Sequence, residues 1–332
     1  MLPYSLMSSP SPLIVQGAFR SGTTALFRVL RHDPGLQCYY EPLHPNLLDH
    51  VEEADKANAT HPKSSLYREF RDVPNLRQSF CSSFAGAARQ VQWGKTPVAL
   101  RQYLRRLIQA APYPSMLQFN RAFWMVPCLG RLFPQAVFVH MVRDPRSVVW
   151  SRLTTACGGR ARLSLPWIGK CLPLSSGNLL HVFSKYARFS AYNMHRYFAM
   201  GREIVERQKG AIFQRLKPIF QRVDSAAPYV KALALWAANV HICHHQAHHW
   251  FGSRYVTIRY EDFCQSHGAI LREIYGPLER PIPKDVLRSA ETTIRSNRLR
   301  KWTGIRHARE RFAKGIEKAK IGPIMDDFRY SR

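Results

Sequence analysis

Acidic residues are scarce in this chain beside basic ones. Twenty-two Asp and Glu stand against 49 Lys and Arg, a formal net charge of +27. The field of that imbalance draws polyanions in general. The seven cysteines, Cys38, Cys81, Cys128, Cys157, Cys171, Cys243 and Cys264, contain no C-x-x-C pair. Scattered and odd in number, they argue against a disulfide framework and for free thiols in a reducing compartment. Cys157 and Cys171 flank one stretch that a bridge could close. No run of 18 or more uncharged apolar residues is present, so no membrane-spanning helix is encoded. Internal repeats and low-complexity tracts are absent as well. Helix-turn-helix, zinc-finger and RNP signatures are missing, and the aromatic residues form no stacking platform, which weighs against nucleic acid as the partner of the positive charge.

What remains is globular. Hydrophobic residues make up 45% of the 332 and charged ones 21%, enough to bury a large core in one elaborated domain or two. The most telling stretch is Leu13-Ile-Val-Gln-Gly-Ala-Phe-Arg-Ser-Gly-Thr-Thr-Ala-Leu-Phe-Arg28. An apolar strand enters a loop bounded by Gly17 and Gly22, and the loop enters a helix. Glycines permit the tight turn that points successive backbone N–H groups at an anion. The helix that follows adds its own unpaired N–H groups and the positive end of its dipole. The glycine spacing is that of the ATP-type phosphate loop, but Thr23 stands where that motif needs Lys, and the cation sits earlier, as Arg20. The loop should bind a phosphorylated ligand without acting as a magnesium–triphosphate machine.

A second motif follows an apolar, β-branched run read as a buried parallel strand, Ala136-Val-Phe-Val-His-Met-Val142. It continues as Arg143-Asp-Pro-Arg-Ser-Val-Val-Trp-Ser151. Pro145 suits the first turn of a helix, which would bring Ser147 and Ser151 to one face. Arg143, at a strand's carboxyl end, offers a guanidinium fork suited to a phosphate monoester. Arg143 pairing with Asp144 or Glu261 is the structural alternative. A third segment, Tyr255-Val-Thr-Ile-Arg-Tyr-Glu-Asp-Phe263, reads as a strand entering a helix whose first turn holds Glu261 and Asp262.

These motifs, in this order, resemble those of sulfotransferases that use 3′-phosphoadenosine 5′-phosphosulfate (PAPS). Arg-Ser-Gly-Thr-Thr is similar to their 5′-phosphosulfate loop, and Arg143 followed by Ser151 to their 3′-phosphate motif. The form is that of the Golgi-type carbohydrate and tyrosyl-protein sulfotransferases and their bacterial relatives. The resemblance implies an α/β fold of three layers, containing a phosphate loop and a central parallel sheet. It implies PAPS as donor, adenosine 3′,5′-bisphosphate as product and no required metal. Arg20, Ser21, Gly22, Thr23, Thr24, Arg143 and Ser151 would hold the nucleotide. Arg300, in Arg300-Lys301-Trp302, would add a loosely matched basic clamp. The Arg-Tyr-Glu-Asp segment would tie strand ends together. One domain over 1–332 is expected, with insertions at about 43–115 and 152–228 forming the acceptor cleft. With the first strand beginning by about residue 13 there is no room for a signal peptide, so a cytoplasmic, bacterial enzyme is expected, with peripheral membrane contact left open.

Sulfuryl transfer to a hydroxyl needs an oriented acceptor, a base for its proton and cations for the departing phosphate. Arg20, with the N–H groups of Gly22, Thr23 and Thr24, is the expected leaving-group partner. Glu41, in Tyr40-Glu-Pro-Leu43, is the expected base and matches a Glu proposed for that role in the Golgi-type relatives. It should end a second strand lying beside the first, with Pro42 pushing it into extended backbone. His44 is the reserve base. Gln118 and Arg121 are candidates for contact with acceptor or sulfate. The acceptor is expected to be a carbohydrate or glycolipid hydroxyl, and an anionic one would fit the charge. A phosphate-loop kinase, with Asp144 serving Mg²⁺, and a non-enzymatic polyanion binder are the alternatives. His241, His244, His245, His248 and His249 include i,i+4 pairs of metal-compatible spacing, but no carboxylate accompanies them, so incidental surface or acceptor-lining histidines are the expectation.

Overall fold

The computed structural model describes residues 11–54, 64–86, 96–120, 122–155, 187–294, 303 and 306–331. In chain order, β1 (Leu13–Gly17) leads to α1 (Thr23–Leu30), then β2 (Gln37–Tyr40) and α2 (Leu47–Glu52). Two 3₁₀ segments, Ser64–Asp72 and Ser82–Gly86, flank α3 (Leu76–Ser79). There follow α4 (Val98–Gln109), β3 (Ser115–Phe119), α5 (Val126–Leu132), β4 (Val137–Val142) and α6 (Pro145–Thr155). After α7 (Ala187–Arg207), α8 (Ala211–Arg222) and α9 (Pro228–Phe251), β5 (Tyr255–Arg259) runs into α10 (Tyr260–Gln265). The chain continues through α11 (His267–Tyr275), α12 (Lys284–Thr293), α13 (Arg306–Ala319) and α14 (Gly322–Asp327).

The strands form one parallel sheet in the order β2-β3-β1-β4-β5. The α/β architecture with a central parallel sheet is therefore as the sequence implied. One neighbour relation differs. The second strand does not lie beside the first, because β3 pairs with both and separates them. Burial explains the placement: β1, β3 and β4 are buried at every residue, whereas β2 and β5 each keep partly exposed positions and take the edges.

Two compact units are distinguishable, Met1–Val142 with Cys243–Ser296, and Arg143–Ile242 with Asn297–Arg332. The first contains the sheet. Its α1 presents Leu26, Phe27, Val29 and Leu30 to the core. The turn after α1, His32-Asp-Pro-Gly35, is pinned by Asp33, whose carboxylate accepts from Gly35 N (2.8 Å), Tyr275 OH (2.8 Å) and Arg280 Nη2 (3.0 Å). The second unit is helical in its described residues. Phe198 of α7 stacks on Phe220 of α8 at 5.2 Å, and Arg215 pairs with Asp327 at 2.8 Å. Among the described residues no helix is long and apolar enough to cross a membrane.

Candidate active site

Parallel strands deliver their carboxyl ends to one edge of a sheet, where ligands of open α/β folds bind. Here β1 ends in the phosphate-type loop, β2 in Glu41, β3 in Asn120 and β5 in Tyr260. The loop is shaped by exclusion. A Cβ at Gly17 would fall against Ser21 Oγ, and within 2.7 Å of Met141 O and Thr23 Cγ2. Gly22 has φ +105°, and a Cβ there would land on the Tyr260 ring. Ser21 N bonds Ala18 O at 2.9 Å, while Gly22 O accepts the first amides of the helix body, Ala25 N (2.8 Å) and Leu26 N (3.2 Å). That leaves the amides of Gly22, Thr23 and Thr24 at the positive end of α1 with no carbonyl one turn earlier to take them.

The loop's side chains are turned to other tasks. Thr23 is buried and donates from Oγ1 to Asn120 Oδ1 at 2.7 Å. Thr24 Oγ1 shares a hydrogen bond with Tyr40 OH at 2.8 Å. Ser21 is wholly buried. The groups left to face an anion are backbone amides and Arg20, whose backbone is held at φ 78° and whose guanidinium carbon lies 5.9 Å from the Phe19 ring.

Glu41 also has left-handed backbone, with φ 42°. This corrects the extended geometry expected ahead of Pro42. Proline disfavours the right-handed helical region for the residue before it but leaves the left-handed one, which the turn uses. Glu41 N still closes the sheet ladder to Gln118 O (2.9 Å), and Glu41 O accepts from His44 N (2.8 Å). Tyr103 of α4 donates to Pro42 O at 2.8 Å and fixes the turn from outside. Non-glycine residues in such backbone cost roughly 1–3 kcal/mol each and persist only where the surroundings over-determine them. Two of the expected catalytic residues, Arg20 and Glu41, are both of this kind.

Asn120 lies between loop and carboxylate. Its Oδ1 accepts from Thr23 and from Gln118 Nε2 (3.0 Å), and its Nδ2 donates to Glu41 Oε1. Glu41, Leu43, His44, Phe119, Asn120 and Ala122 line a hollow of about 30 Å³. His44 packs on His50 at 4.7 Å, and its Nδ1 accepts from Asn46 N at 3.2 Å. Burial and the neighbouring Glu41 charge push the Tyr40 phenol up, so it stays neutral. Gln118 is itself buried, with its amide on Asn120, which places it behind the site.

The second motif belongs to the other unit. Pro145 opens α6 as expected. Asp144 is buried and pairs with Arg146, accepting from its guanidinium at 2.7 Å and its backbone N at 2.8 Å as a helix cap. Arg143 is half-buried, and its carbonyl accepts from Trp236 Nε1 at 2.9 Å. Ser147 is buried and Ser151 half-buried. Arg121, Arg300, Lys301, Trp302, Cys157 and Cys171 lie outside the described residues.

The histidine series divides. His241 is buried. His244 Nδ1 meets Tyr255 OH at 3.0 Å, and the same hydroxyl meets His140 Nδ1 of β4 at 3.1 Å. Burial, with His244 nearby, pushes His140 down to about 3. Among the described residues no group of side chains is arranged to hold a metal ion.

Two residues were not singled out from sequence. Asn120 lies between Gln118 and Arg121, the two candidates of that stretch. Tyr260 was read as part of a strand-tying segment, but its ring is also the wall behind Gly22.

The model for the sulfotransferase family matches residues 12–191, a span that includes the loop, Glu41, Asn120, Arg143 and Ser151. The chain belongs to the sulfotransferase family. A sulfotransferase domain from the Synechococcus PCC 7002 olefin synthase is 18% identical, with a TM-score of 0.48 over 98% of this chain and 96% of that one. Sulfotransferase STF9 from Mycobacterium avium is 15% identical, with a TM-score of 0.46 over 96% and 76%. An uncharacterized protein of Archaeoglobus fulgidus is 24% identical over 146 residues, 41% of this chain and 45% of that protein.

Proposed function

We propose that this chain transfers the sulfuryl group of PAPS to a hydroxyl of a carbohydrate or glycolipid, in a reducing cytoplasmic compartment. The observation that carries the reading is the pairing of a backbone anion cradle, Gly17–Thr24, with a carboxylate at the neighbouring strand ends. The residues present fit the donor's 5′ end. The cradle has no room for a Cβ at Gly17 or Gly22, and its amides and Arg20 offer positive charge without a lysine. Ser21 packs beneath the cradle and shapes it. By likeness of motif, Arg143 and Ser151 are assigned to the 3′-phosphate, and Arg300 to a clamp on it.

PAPS, when bound, supplies the sulfuryl group and the bisphosphate leaving group. Glu41 accepts the proton of the acceptor hydroxyl as that oxygen bonds to sulfur. Arg20 and the amides of Gly22, Thr23 and Thr24 take up the negative charge that stays on the 5′-phosphate when its bond to sulfur breaks. Glu41 is favoured over His44 because His44 Nδ1 already accepts a hydrogen bond. Its neutral ring then carries the proton on Nε2 and presents a donor. The kinase alternative loses its metal ligand, since Asp144 is buried against Arg146. The free Cys38, Cys81, Cys128, Cys243 and Cys264 suit a reducing compartment. The surplus of positive charge suits an anionic acceptor.

The test is calorimetric titration with adenosine 3′,5′-bisphosphate, beside ATP with Mg²⁺, at two salt concentrations. One-site binding of the bisphosphate is expected, lost in Arg143→Ala and not matched by ATP. Preference for Mg-ATP overturns the reading in favour of a kinase. Weak binding of both that fades steeply with salt overturns it in favour of a polyanion binder.

A further inference from the structure

We infer that Asn120 is the positioning residue of this site: it aims Glu41 at the acceptor hydroxyl and ties that aim to the helix start that grips the donor. The inference rests on Glu41 being the base, as proposed above.

The hydrogen-bond inventory decides what residue type can stand there. An ionised carboxylate only accepts, so the group facing Glu41 must donate. The Gln118 amide nitrogen only donates, and Thr23 donates as well, so the group facing them must accept twice. One short side chain therefore accepts on one side and donates on the other, which an amide does from two separate atoms and an ionised carboxylate or aliphatic group of that size does not. Asn120 is 7% exposed, so its polar atoms have little water to fall back on, and the cost of leaving one unmade is correspondingly high.

Position makes the arrangement more than structural. Thr23 is the first residue of α1, and its amide is one of the three in the cradle. Glu41 ends β2, and β3, with Asn120 following it, runs between β2 and β1. The left-handed backbone at Glu41 turns the chain out of the strand, and the Asn120 amide meets the carboxylate there. A small misplacement of a base costs rate far more than affinity. Asn120 touches neither donor nor acceptor in this assignment and acts through Glu41.

The test uses the full chain, PAPS as donor, and n-octyl β-D-glucopyranoside or water as acceptor, with release of adenosine 3′,5′-bisphosphate as the readout. Asn120→Asp keeps the shape and the acceptor facing Thr23 and Gln118, removes the donor facing Glu41 and sets a second carboxylate beside it. Its kcat should fall on the order of ten- to a hundredfold, the scale of a misplaced catalytic group. Its KM for PAPS and its Kd for the bisphosphate should stay within about twofold, the sign that transition-state contacts alone were lost. Thr23→Val should lower kcat several-fold with the same split, because the cradle amide is retained. The double variant should be no slower than Asn120→Asp, since both act through one side chain. Wild-type kcat in Asn120→Asp overturns the inference, as does a loss carried wholly by KM and Kd. So does strict additivity of the two variants. A wild-type protein that binds the bisphosphate and releases none from PAPS, or a Glu41→Gln variant of full activity, overturns the functional reading itself.

Discussion

The phosphate-type loop and the Glu41 corner lie at the same sheet edge and are built on opposite principles. The loop is one continuous stretch, Gly17–Thr24, whose chemistry is carried by main-chain amides and whose shape is enforced by what will not fit. The corner is assembled from residues far apart in the chain, Thr23, Glu41, Gln118 and Asn120, and its chemistry is carried by side chains alone. An anion can be held by any backbone bent correctly, so the loop depends on conformation. A proton can be taken only by a particular group at a particular angle, so the corner depends on identity. Conformational damage should therefore fall on binding, and chemical damage on turnover.

Breaking the corner gives the largest effect. Glu41→Gln should lower kcat by roughly 10²–10⁴, the worth of a general base, with bisphosphate affinity held. Calorimetry beside steady-state kinetics checks the split. Gly22→Ala is the reverse experiment. The positive φ alone costs about 1–3 kcal/mol, so bisphosphate affinity should drop by about one to two powers of ten. Adding Tyr260→Ala removes the collision but not the strained φ, so binding should recover only in part.

Acid should erode both regions together. His140 pairs in register with Gln16 of β1, the strand that carries the loop, and is pushed down to about 3 by burial and then by His244. The unfolded chain takes up a proton near pH 6.5 that the folded chain refuses until about pH 3. The contribution of neutral His140 is thus fully present above about pH 6.5 and declines as pH falls, by up to about 1.4 kcal/mol per unit. Urea denaturation between pH 7 and 4 should show that slope, and His140→Asn should flatten it. Smallest is Thr24→Val, which removes the half-buried bond between α1 and Tyr40 and should cost about 1 kcal/mol in denaturant stability.

This division also governs what could be read in advance. The loop was legible because its residues are consecutive and glycine states a backbone requirement directly. Glu41 was legible as a residue at a strand end. Its neighbourhood was not, because sequence order suggested that β2 adjoins β1, and only the sheet shows β3 between them. Asn120 matters because of that intervening strand, so the same misplacement hid its role. The histidine series misled in a related way. Spacing along α9 says which rings share a helix face, but not that Tyr255 stands opposite and bonds His244. Contacts across the fold leave no periodic trace in the chain.

The ring of Tyr260 behind Gly22 has a consequence for biosynthesis. Chains emerge from the ribosome amino end first, so the loop sequence is out before the segments that close on it. Its wall comes from β5 and α10, made long afterwards. A nascent chain carries every loop residue yet lacks the surface against which the glycine turn closes. The closed shape of the loop is therefore acquired only after α10 has been made. Once acquired, the ligand rewards only chains that have joined their first strand to their last.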